Sequence, residues 1–169
     1  MKYLMPQKFE SERLIIRTFN DTDWKDLHDY YSDTETTKYT FGRVLSEGET
    51  WRTVASMVGH WSIRGYGPYA LEEKGSGKII GVSGLWYPAD WPEPEIKWGL
   101  SRTFQGKGYA SEAARKVKEV AKEYLPEMSL ISLIHSKNSP SIKLALAIGA
   151  NFEKEILFRE DNWSIYRHH

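Results

Sequence analysis

Glu95-Ile96-Lys97-Trp98-Gly99-Leu100-Ser101, followed closely by Gln105-Gly106-Lys107-Gly108-Tyr109-Ala110, is the stretch on which the fold turns. The first run alternates polar and apolar side chains, as a half-buried strand does. The second leads into a helix in which Ala110, Ala113, Ala114, Val117, Ala121 and Tyr124 make a small-residue face that can lie close to a sheet. Pro126 ends that helix. Gly106 and Gly108 let the chain turn tightly and bring its N–H groups near a ligand, and the helix start adds a positive dipole end. Lys107 and Arg102 add charge beside it. Read from these residues alone, the unit fits a pyrophosphate site and an ordinary helix start equally well. It is neither a Walker loop nor a G-x-G-x-x-G fingerprint.

Working outward, Arg13 to Phe19 reads as a first strand, and Asn20 to Asp23 supplies cap chemistry for a helix through Trp24, Leu27 and Tyr31. Ser46 and Glu49 have the spacing of a capping box, and the helix they open stops at Gly65. Tyr69–Glu72 and Lys78–Trp86 form a hairpin around Lys74–Gly77. After the strand Leu130–His135, Ser139 caps a helix with Pro140 at its first position and Gly149 beyond its end. Phe152–Phe158 and Trp163–Arg167 close the chain around a turn at Glu160–Asn162. No linker or repeat divides the sequence, so residues 1–169 read as a single domain of α/β or α+β class with a mixed sheet.

Composition narrows the function. Lys plus Arg and Asp plus Glu both number 23, so the net charge is zero and the basic surplus of a nucleic-acid binder is missing. There is no cysteine, which excludes disulfides, thiolate nucleophiles and Cys-based zinc sites. No apolar run is long enough for a membrane span or a signal peptide core, so a cytoplasmic protein without nucleic-acid or membrane partners is expected. The terminal pair His168–His169 receives no function in this reading, and no metal site is expected.

The run Gln105 to Ala110 matches the Gln/Arg-x-x-Gly-x-Gly/Ala signature, and with it the chain resembles the GCN5-related N-acetyltransferases. The surroundings of that run resemble the subgroup of ribosomal-protein N-terminal (alanine/serine) acetyltransferases. Glu12-Arg13-Leu14-Ile15-Ile16-Arg17 stands for the opening Glu-Arg-Leu-x-x-Arg strand, and Glu95 to Leu100 for the Glu-Ile-x-x-x-Leu strand. Asn138 and Ser141 match the Asn-x-x-Ser helix start, and Gly149 and Ala150 its ending. The resemblance implies a mostly antiparallel sheet of about six to seven strands, splayed at the cofactor site and flanked by about four helices. It implies acetyl-CoA as cosubstrate. Leu100, Ser101 and Arg102 then pair with the pantetheine arm, and Gln105, Gly106, Lys107, Gly108, Tyr109 and Ala110 hold the pyrophosphate. Asn138 contacts the arm, and Ser141 sits near the thioester sulfur; read from the residues alone, helix capping is the favoured account of Asn138 and Ser141.

Amine acetylation needs a base or water to take a proton, a donor for the leaving thiolate and a donor for the oxyanion. Glu95 is the candidate base, directly or through a water, against the plain alternative of a solvated strand carboxylate. Many family members place a Tyr seven residues after the Asn; here that position is Ala145, which leaves Ser141, water or direct thiolate release. His135 is a further strand-end candidate. Trp86, Tyr87 and Trp91 in a Pro-rich loop, with Tyr39, Phe41 and Trp51 opposite, are candidates for holding the acceptor amine by cation–π contact. The acceptor is a protein N-terminus or a small-molecule amine, and the chain a monomer or homodimer. Rival readings are a non-catalytic acyl-CoA-binding sensor on the same fold and a nucleotide-binding transferase.

Overall fold

The computed structural model describes residues 2–169. Eight strands make one sheet: β1 (Lys8–Glu10), β2 (Leu14–Arg17), β3 (Pro68–Glu73), β4 (Ile79–Trp86), β5 (Glu95–Leu100), β6 (Ile131–His135), β7 (Asn151–Phe158) and β8 (Asp161–Arg167). Their order is β1-β2-β3-β4-β5-β6-β8-β7, and every neighbouring pair is antiparallel except β5 with β6. The α/β class and mostly antiparallel sheet are as expected, with one strand more. That strand, β1, spans only Lys8–Glu10, too short to carry an alternation signal. The last hairpin turns at Arg159 and Glu160, both at positive φ (51° and 62°), rather than at Glu160–Asn162.

Five helices accompany the sheet: α1 (Asp23–Tyr31), the single turn α2 (Thr34–Thr37), α3 (Glu47–Arg64), α4 (Tyr109–Tyr124) and α5 (Ser139–Ala147). The capping box forms at α3, where Ser46 Oγ accepts from Glu49 N and Glu49 Oε1 accepts from Ser46 N, both at 3.2 Å. At α5 the cap is Asn138, whose Oδ1 accepts from Ser141 N, so Ser139 and Pro140 stand inside the first turn. α4 lays Ala113, Ala114 and Val117 on one sheet face, against Leu71, Ile80, Ile96 and Leu100. α1 and α3 cover the other face with Leu27, Tyr30 and Met57 against Ala70 and Val82. No helix among the described residues is long and apolar enough to cross a membrane.

β5 and β6 pair only at Glu95 and Ile131 and then diverge. Side chains replace the missing ladder. Leu133 N donates to Glu95 Oε2 at 2.9 Å, and Ser132 Oγ donates to Ile96 O at 2.7 Å. Because the Ser132 proton is committed to that carbonyl, its oxygen accepts from His168 Nε2 at 2.8 Å. His168, given no role by the sequence reading, is therefore 8 % exposed and built into the wedge between the strands. Its backbone N–H also donates to Leu130 O, adding it to the end of β8.

Candidate active site

The register of β4 and β5 decides what the opening presents. Ser101 N donates to Ile80 O at 2.8 Å, so Glu95, Lys97 and Gly99 turn their backbone groups to β4. Ile96, Trp98 and Leu100 then face the gap. Ile96 O is taken by Ser132, and Leu100 O accepts from Gln105 Nε2 at 3.0 Å. The N–H groups of Trp98 and Leu100 remain as donors along an open strand edge. Ser101 Oγ lies buried without a partner at the end of that edge.

From there a 3-10 turn (Arg102–Phe104) delivers the chain to the glycine loop. Gly106 and Gly108 stand at φ of 75° and 83°, a conformation that side-chain-bearing residues avoid. The first bond of α4 runs from Glu112 N to Gly108 O, so the N–H groups of Tyr109, Ala110 and Ser111 point out of the helix end. This end is braced from β2. Arg13 donates from Nη1 to Lys107 O (2.9 Å) and from Nε to Glu112 Oε1 (2.7 Å), and stacks 4.0 Å from the Tyr109 ring centroid. Tyr109 OH donates to Glu73. Arg102 behaves differently from expectation: its guanidinium turns to Asp33 (2.8 Å), so only its backbone lies at the loop approach. Exposed N–H groups, a helix dipole and no nearby carboxylate left unpaired fit a pyrophosphate.

On the α1/α3 side the opening widens into a cavity of about 290 Å³. Strand alternation puts Glu95 and Lys97 on its wall, opposite Trp86 and Gly84 of β4. Glu95 is 6 % exposed and accepts two hydrogen bonds, from Trp91 Nε1 and from Leu133 N, each 2.9 Å. Burial raises its carboxyl to about 7, outweighing those two bonds and the charge of Lys97, which favour the ionised form. A carboxyl of that kind, poised near neutrality and facing a cavity, suits proton transfer.

The other candidates sort by position. Ser141 Oγ accepts from Trp98 Nε1 at 3.3 Å across the gap, and both Asn138 and Ser141 line the cavity. Trp86, Trp91 and Tyr39 line it as well, with Phe41 beside them. Tyr87 does not: it follows Trp86 by one residue, so it turns to the opposite side, where Arg64 stacks over its ring at 4.7 Å. Trp51 is 51 % exposed on the outside of α3. His135 has both nitrogens engaged, Nε2 with Asp161 Oδ2 (2.7 Å) and Nδ1 with Lys137 N (3.1 Å), and Tyr39 stacks on its ring. Those bonds fix it as part of the wall rather than as a free base.

Three contributors escaped the sequence reading: Lys97, Arg13 as a brace, and the Ser132–His168 wedge. For Lys97 the signal was present, since a residue two along from Glu95 shares its face. The wedge has a consequence for stability. Burial lowers His168 from its ordinary 6.5 to about 4, so it stabilises the fold above 6.5 and that contribution is lost as pH falls towards 4. Glu95, raised from 4.5 to about 7, has the opposite sign: stability is lost as pH rises from 4.5 towards 7. Between about 4.5 and 6.5 each slope is about 1.4 kcal/mol per pH unit and the two oppose one another. The melting temperature of the wild type is therefore expected to stay nearly flat across that window. His168→Gln, which can still donate to Ser132 but does not titrate, should melt higher with each step of acidification, by about 3–6 °C per unit. Parallel melting curves for the two proteins would overturn the account of the wedge.

An acetyltransferase (GNAT) domain model matches residues 13–151. The uncharacterized N-acetyltransferase p20 of Bacillus licheniformis is 30% identical over 152 residues, covering 89% of this chain and 84% of that protein. The structure of an acetyltransferase from Agrobacterium tumefaciens str. C58 superposes with a TM-score of 0.85 at 25% identity, over 100% of this chain and 97% of that one. RimL, a ribosomal L7/L12 alpha-N-protein acetyltransferase solved in complex with coenzyme A, shares the fold at 18% identity (TM-score 0.76, covering 97% of this chain and 96% of that one).

Proposed function

The chain belongs to the GNAT acetyltransferase family, and from that premise we propose that it moves the acetyl group of acetyl-CoA to a primary amine, by direct attack with both substrates bound. The observation that carries this reading is the continuity of the site. A donor-lined strand edge leads from the open N-terminus of α4 directly to a cavity whose wall holds Glu95. A protein that only sensed acyl-CoA has no need of a buried carboxyl raised to about 7 at the end of that path.

Acetyl-CoA supplies the activated acyl group when bound. The N–H groups of Gly106 to Ser111 hold the phosphates, and Trp98 and Leu100 pair with the arm along the edge of β5. Glu95 takes the amine proton, directly or through a water, while Trp91 and Leu133 keep its carboxylate in place. Ser141, whose oxygen accepts from Trp98 Nε1, keeps its own proton free for the departing sulfur. The acceptor is a protein N-terminus or a small-molecule amine, and the setting is the cytoplasm.

Calorimetric titration with acetyl-CoA, with ATP and NAD as controls, tests the first half of this reading, and thiol release over an amine panel tests the second. Selective acetyl-CoA binding followed by amine-dependent thiol release is the expected result. A folded protein that binds neither acetyl-CoA nor CoA would remove the reading.

A further inference from the structure

Charge is distributed unevenly inside the cavity. Near its mouth, Asp90 meets Arg159 at 3.4 Å, and Asp161 accepts from His135 at 2.7 Å. Those two carboxylates are engaged. Deeper in, Lys97 is half-buried with Nζ 4.6 Å from the centroid of the Trp86 ring. No acidic side chain among the described residues lies within 4.0 Å of that nitrogen, and it donates no hydrogen bond. Burial holds the Lys97 ammonium below its ordinary range, and an anion placed against its three unused donors would favour the charged form, so the nitrogen resting on this aromatic face is a receptor for an anion. Tyr39, Phe41, Trp91, Phe158 and Trp163 add aromatic faces to the wall.

We propose that the acceptor is an amino carboxylate with an apolar or aromatic side chain, its amine directed to Glu95 and its carboxylate to Lys97. The assignment rests on the acetyl-transfer reading above and deepens it. Glu95 and Lys97 share one strand face two residues apart, with their Cα atoms about 6–7 Å from one another. An ammonium-to-carboxylate span with a hydrogen bond at each end has the reach to join two neighbouring side chains on one strand face. A cavity of about 290 Å³ lies at the lower bound of small-ligand sites, and its rings take the side chain. A polyamine finds no second free anion here. A peptide N-terminus brings an amide where Lys97 offers an ammonium. The reaction balances: the ammonium gives one proton to Glu95, its nitrogen forms an amide bond to the acetyl carbon, the carbon–sulfur bond breaks, and the second nitrogen proton replaces the one Ser141 passes to the departing sulfur, so that thiol is released.

The test compares matched acceptors by thiol release: phenylalanine with phenylalaninamide, and leucine with leucinamide. The expected result is a kcat/KM for each free carboxylate at least about tenfold above its amide, the worth of one charge-assisted hydrogen bond. Lys97→Met should bring that ratio close to one and Lys97→Arg should restore it, with acetyl-CoA titration confirming that each variant is folded. Turnover of amines with a ratio near one or below, or a ratio that survives Lys97→Met, overturns this inference and leaves acetyl transfer standing. Acetylation of Lys97 itself, seen by mass spectrometry after acetyl-CoA alone, overturns it by making the lysine the acceptor. Absence of turnover with every amine removes both readings.

Discussion

Replacing Glu95 by Gln is expected to lower kcat by about 10²- to 10⁴-fold, the usual worth of a positioned general base. The pH profile should carry the diagnosis. Burial holds the carboxyl near 7 in the protein, so the competent carboxylate is scarce below that value and predominates above it. In the wild type kcat/KM should rise through an acid limb centred about pH 7, and in Glu95→Gln that limb should vanish. The substitution is not neutral for the wall. Both carboxylate oxygens accept from N–H donors, Trp91 Nε1 and Leu133 N, whereas a glutamine offers one acceptor and turns its NH₂ against the other donor. That mismatch costs about 1–3 kcal/mol, which a melting measurement reads separately from the rate. Acetyl-CoA affinity should change by less than about threefold, since the cofactor groove is formed by β5 backbone and α4. A variant that keeps both the limb and a tenth of the rate would show that another group, or solvent alone, takes the proton.

The position of Glu95 was legible because alternation in Glu95–Leu100 puts it on a definite face, and the glycine loop was legible because few backbone turns need two glycines flanking one residue. The capping box at Ser46 and Glu49 was readable for the same reason: it is local chemistry at fixed spacing. What the sequence concealed lies in pairs far apart along the chain. Arg13 meets the carbonyl of Lys107, 94 residues away, and Ser132 meets Ile96, 36 residues away. No periodicity announces such contacts. His168 received no function because its partner, Ser132, is found only once β6 is laid beside β8. Tyr87 was grouped with Trp86 by neighbourhood, although a strand sends successive side chains to opposite faces.

The cofactor half of the site makes the second large prediction: Gly108→Val should weaken acetyl-CoA binding on the order of 10²- to 10³-fold. Gly108 caps α4 at φ 83°, a region that costs an L-residue about 1–2 kcal/mol and a β-branched one more. Added bulk there also meets Arg13, whose Nη2 lies 3.4 Å from where a Cβ would stand. Arg13 cannot give way freely, because the same guanidinium holds Lys107 O and Glu112. Relief comes instead from rotating the Gly108 peptide, which swings the neighbouring N–H groups off the helix axis. Losing two charge-assisted hydrogen bonds at about 1.5–2 kcal/mol each accounts for the fold-change. Gly106→Ala provides the contrast: its φ is also positive, at 75°, but nothing lies within 4 Å of its added carbon. The loop there pays only the local strain, so affinity should fall by about tenfold at most. Because Tyr109–Glu73 and Arg13–Glu112 continue to tie α4 to the sheet, both variants should remain folded by circular dichroism. Calorimetric titration with acetyl-CoA then decides. If Gly108→Val binds within threefold of the wild type, the phosphates do not rest on this helix end, and the cofactor must enter by another route.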